Sequence, residues 1–141
     1  MTGEKIFAEL REVLPKLEKL SREIGEGLYA SNDMDEDQRF LVNQLRHLDY
    51  KHLQDVVSQL RYLDRSVRVE GILTLQPNGR YSIDDWELSS GSPVELLIYD
   101  KDEERHDWQA TRIEHSHAHG GYYAYHYPEL QLNGTRARIR K

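Results

Sequence analysis

The chain has 141 residues, 38% apolar and 31% charged, with a formal net charge of −6, which is one ordinary domain or two small ones. It has no cysteine, so a disulfide framework, a Cys-type zinc site and a thiol nucleophile are excluded. No apolar run approaches the ~20 residues that span a bilayer, and Glu4, Lys5 and Glu9 stand where a secretory signal needs its apolar stretch; a soluble cytoplasmic protein with no membrane partner is expected.

Through about Asp64 the apolar period is helical. Ile6, Leu10, Val13, Leu17, Leu20 and Ile24 form a heptad seam, widened by Phe7, Leu14 and Leu28. Thr2 is placed to cap this helix. Pro15 removes one helical hydrogen bond, but the seam keeps its phase across it, which predicts a kink and not two helices. Gly25 and Gly27 weaken the end near Tyr29. Asn32 to Asp35 reads as a turn, with Asp33 and Glu36 approximating a capping box. A second helix then carries Leu41, Leu45, Leu48, Leu53, Val56, Leu60 and Leu63. Two long helices joined by a short turn make an antiparallel hairpin. A hairpin alone cannot bury this much apolar surface; either the second segment covers the remainder or another copy does, and of the two a homodimer through the helices is expected.

From Val67 the pattern shortens to strand-like runs. Val67–Leu75 and Arg80–Ile83 flank Asn78-Gly79, the strongest short hairpin signal. Val94–Tyr99 is a third strand, followed by a charged loop over 100–107. Trp108–His117 and Tyr122–Tyr127 flank Gly120-Gly121 as another hairpin, and Thr135–Arg140 is the last strand. Short antiparallel strands in this number suit a small barrel, which limits exposed edges. The fold class is α+β: a helical hairpin over 1–66, then a small antiparallel β-barrel over 67–141.

Within the second segment, Gly79-Arg80-Tyr81, Glu87 to Leu96, Thr111 to His115, Gly121-Tyr122-Tyr123 and Ala137-Arg138-Ile139 occur in that order. Over roughly residues 68–141 these blocks resemble a bacterial domain family, chiefly of Gram-positive bacteria and their mobile elements, known only as a domain of unknown function. The resemblance implies an SH3-like barrel. It implies no activity, cofactor or active site, and the helical half lies outside it.

Three side-chain groups stand out. Trp86, Trp108, Tyr123 and Tyr125 are candidates for an exposed aromatic patch that meets a protein partner, since rings supply contact area at low entropic cost. A two-residue turn at Gly120-Gly121 would pair His119 with Tyr122, His117 with Ala124 and His115 with His126, placing the histidines on one face. His115, His117 and His126 are then candidate ligands for a divalent transition metal. Arg136, Arg138 and Arg140 share one side of the last strand and are candidates for nucleic-acid phosphates. Each half of the chain is nevertheless at −3, so nucleic acid would have to be met by that local patch. The acidic run Asp100–Asp107 lacks the spacing of an EF-hand loop. No paired-carboxylate motif, Gly-rich phosphate loop or partnered nucleophile is present. A non-catalytic interaction or adaptor module with no cofactor is the reading; a metal-binding protein and a nucleic-acid-binding accessory protein are the alternatives.

Overall fold

A computed structural model describes every residue from Met1 to Lys141, in two units, Met1–Arg65 and Ser66–Lys141. In the first unit, α1 (Gly3–Gly27) starts where the Thr2 hydroxyl accepts from the Lys5 amide at 3.2 Å. It runs unbroken through Pro15 and stops at Gly27, with Leu28 extended beyond it. The next helix, α2 (Glu36–Leu48), is capped by Asp35 and not by Asp33. Asp35 accepts from the Gln38 amide at 2.8 Å, and its own amide donates to the Gln38 side chain at 2.9 Å. The box sits two residues later than expected because Ser31–Met34 closes a turn first. The chain continues through one wide π-helical turn, Asp49–Leu53, into α3 (Gln54–Asp64). Asp49 is buried there, and its carboxylate is satisfied by the Ser21 hydroxyl (2.5 Å) and the Gln54 amide (2.9 Å).

The two rods are antiparallel. Arg11 meets Asp64 and Arg61 meets Glu18, each at 2.7 Å, and Arg46 donates to the Leu28 carbonyl at 2.6 Å. Their shared core is thin: Leu14, Val57 and Leu60, with Phe7, Leu17 and Leu53 against them. The flanking positions Phe7 and Leu14 thus fill the hairpin interior. Most of the heptad seam does not; Ile6, Leu10, Val13 and Leu20 stay exposed.

The second unit is a seven-stranded antiparallel sheet in the order β3-β2-β1-β7-β4-β5-β6. The strands are β1 (Val67–Leu75), β2 (Tyr81–Ile83), β3 (Trp86–Glu87), β4 (Pro93–Asp100), β5 (Arg105–Ser116), β6 (Gly121–Ala124) and β7 (Arg136–Arg140). Side chains alternate between faces, and one face closes over the core: Leu73, Ile83, Val94, Leu96, Ile113, Ala124, Ala137 and Ile139, joined by Leu88 and Leu132 from loops. The sheet curls into a half-barrel. Gly91 N–H donates to the Ile113 carbonyl and Ile113 N–H to the Ser92 carbonyl, tying the segment after β3 to β5. Arg80, beside β2, interacts with both Glu87 and Tyr122 of β6, so the two ends of the sheet come round toward each other. No helix in the chain is long and apolar enough to cross a membrane.

Two hairpins differ from expectation. The charged loop is only a tight turn, because β4 extends to Asp100 and β5 begins at Arg105. The Gly120-Gly121 hairpin closes differently: Ser116 pairs with Gly121, His115 with Tyr122 and Glu114 with Tyr123. His117–His119 form a 3-10 turn capped by the Ser116 hydroxyl, with Gly120 left-handed at φ 76°. Four residues span the bend instead of two, and every cross-strand partner shifts.

Candidate functional site

That shift dissolves the expected histidine array. His115 faces Tyr122 edge-on at 4.8 Å between ring centroids, and His117, outside the strand, is 5.5 Å from His115. His119 stacks on Tyr123 at 3.9 Å. His126 has left-handed backbone (φ 69°), lies beyond β6 and packs on Tyr125. No group of three His, Asp or Glu side chains is arranged to hold a metal. The expected pairing behind the set His115, His117 and His126 is corrected: the register places His115 opposite Tyr122 and not opposite His126.

The aromatic set divides by strand parity. Trp86 pairs with Ile83 and packs on the core, with the Lys141 ammonium 4.7 Å above its ring. The other three gather on the opposite, outer face of the sheet. Trp108 lies across from Leu97 on β4. Tyr123 lies across from Glu114. Tyr125 follows β6 and is covered by the Arg112 guanidinium at 3.7 Å. All four rings are half-buried, and Trp86 does not share the face of the other three.

The arginines of β7 are on this same outer face, because Ala137 and Ile139 between them are buried. They are engaged in place. Arg136 bonds Glu70 of β1 at 2.7 Å. Arg138 and Arg140 each donate from Nε to one oxygen of Glu95, at 2.5 and 2.6 Å. Glu95 is only 4% exposed. Trp108 lies beneath two of these cations, 4.2 Å from the Arg138 guanidinium and 6.0 Å from that of Arg136. Such contacts hold a ring and a cation together more strongly as water is excluded. Three arginines against two glutamates leave the strip only mildly positive, and their fixed geometry restricts how they meet a phosphate.

Neighbouring ion pairs rim the face. Arg112 donates to Glu114 at 2.6 Å, and this bond raises the arginine pKa. At the sheet end, Glu87 accepts from the Asn78 amide (3.0 Å) and from Arg80 (2.9 Å), which hold its carboxyl below the usual range. The sequence reading missed Glu95 and Glu70 as the arginines' anchors. The only signal available was one acidic residue inside the apolar run Val94–Ile98.

Fold and surface together define a helical hairpin joined to a curled β half-barrel whose outer face carries interleaved rings and cations. Residues 71–139, nearly all of the C-terminal unit, match the family described as Domain of unknown function (DUF5348). No curated protein and no solved structure matches the chain.

Proposed function

We propose that this is a non-catalytic interaction protein that self-associates through its helical unit, leaving the β unit to engage a partner. One observation carries the reading: aliphatic side chains of both rods remain exposed. Arg11–Asp64, Glu18–Arg61 and Ser21–Asp49 bond across the hairpin. Ile6, Leu10, Val13 and Leu20 of α1 remain 39–48% exposed, and Leu48, Val56 and Leu63 of the second rod 46–49%. Monomeric soluble proteins rarely leave a contiguous patch of this kind open. A second hairpin, bringing the same side, covers it and yields a four-helix arrangement with a two-fold axis.

Sedimentation velocity on the full chain over a micromolar concentration series tests this, with a dimer expected. Leu10 and Leu20 are 39% and 41% exposed, so completing their burial supplies about 1 kcal/mol each. The double variant Leu10→Ser, Leu20→Ser removes four such contributions per dimer, weakening association by about a thousandfold. A wild-type chain that sediments as a monomer throughout the series overturns the reading.

A further inference from the structure

The β unit contains a split in its sheet. β4 pairs with β5 along its whole length, from Pro93 opposite Arg112 to Asp100 opposite Arg105. On its other side only Glu95 and Leu96 are paired, with Arg138 and Ala137 of β7. On its other flank β7 pairs with β1 along its whole length, and before Ala137 the chain stays with β1 alone. Arg136 lies opposite Ile72, the Leu73 amide donates to the Thr135 carbonyl, and the Gly134 amide donates to the Leu73 carbonyl, both at 2.8 Å. Leu97–Tyr99 therefore has a strand neighbour on one flank only. A cavity of about 390 Å³ opens there, with Leu97, Ile98 and Leu130 supplying apolar lining and Tyr99, His106 and Arg136 polar lining.

An unpaired strand flank is a template for another strand, because its amides and carbonyls need partners spaced as in a ladder. A helix cannot present that spacing. The cavity lies in the ~300–1,000 Å³ range of ligand pockets and suits one large apolar side chain. Where β4 ends, the turn and the start of β5 carry Asp100, Asp102, Glu103, Glu104 and Asp107 against Lys101 and Arg105, the arginine being paired with Glu103 and Asp107; the remaining negative charge favours a basic segment beside it. We propose that the split between β4 and β7 takes an extended basic peptide, added as a strand along Leu97–Tyr99, with a large apolar side chain in the cavity. This rests on the reading that the β unit meets a partner, and it is independent of self-association by the helices.

The probe is a short synthetic peptide of alternating Thr and Lys with one central Phe, blocked at both ends, titrated into the full chain by fluorescence anisotropy. Saturable binding is expected, together with slowed amide exchange at Leu97, Ile98 and Tyr99. Methylating alternate backbone nitrogens of the peptide, or exchanging its Lys for Glu, should each weaken binding by about tenfold or more. The chain variant Tyr99→Ala, an exposed position whose folding is checked by Trp fluorescence, should do the same. Absence of binding, equal binding of the methylated peptide, or protection outside β4 overturns the proposal. Sedimentation of the same samples separates the two readings: a monomer that still takes the peptide defeats only self-association, and a dimer that ignores it defeats only the strand site.

Discussion

Replacing Glu95 with Gln isolates what holds the outer face of the sheet. The Glu95 side chain is 6% exposed and those of Arg138 and Arg140 are 20% exposed. Each carboxylate oxygen receives one guanidinium Nε–H. Glutamine keeps the shape but offers one acceptor; its NH₂ faces a second donor, so one guanidinium loses its bond to this side chain and the other loses charge assistance. Removing one member of a fully buried ion pair costs about 3–5 kcal/mol. With arginines one-fifth exposed and able to reach water, the expectation here is about 2–3 kcal/mol. For a unit of this size that lowers the melting temperature by roughly 10–20 °C. Both tryptophans, Trp86 and Trp108, lie in the β unit, so their fluorescence follows this unit while the far-ultraviolet helix signal follows the other. The triple variant Glu95→Leu, Arg138→Leu, Arg140→Met, which strands no charge, should melt well above Glu95→Gln. A Glu95→Gln protein that melts within a degree or two of wild type refutes the reasoning. So does a triple variant that falls as far as the single one.

Two further expectations concern packing and protons. A methyl added at Gly71 would stand 3.0 Å from Ile83 Cγ2, and Ile83 is fully buried; Gly71→Ala should therefore cost about 1–3 kcal/mol in urea unfolding followed by Trp fluorescence, and an unchanged midpoint counts against the close approach. Glu18, held low by Arg61, and Glu87, held low by Asn78 and Arg80, have depressed carboxyl pKa values in the folded state. Their contributions are complete above the ordinary carboxylate range and are lost as pH falls through the depressed values; Arg61→Ala should flatten the acid side of the helical unit's melting curve, and Arg80→Ala that of the β unit, and parallel curves for variant and wild type would show that these pairs carry no linkage.

Local pattern determined much of the protein. The helical period of Ile6–Ile24, the Thr2 cap and the Asn78-Gly79 turn depend on neighbours a few residues apart, so the elements were readable in order, as was the change to strands after Asp64. The alternation of Arg136, Arg138 and Arg140 likewise placed them correctly on one side of their strand. Tertiary structure decided which faces meet. The sequence showed a broad apolar stripe on the first helix without saying which part of it faces the second rod; the rods meet on the flanking Phe7 and Leu14 with only Leu17 of the seam, because a helix can rotate to bury either of two adjacent apolar stripes. The histidine array failed over two residues of turn length, since each change in register exchanges every cross-strand partner. Glu95 became an anchor only when strands 43 and 45 residues apart in sequence came side by side. Spacing along the chain encodes which side of an element a residue occupies; long-range pairing chooses what stands opposite it.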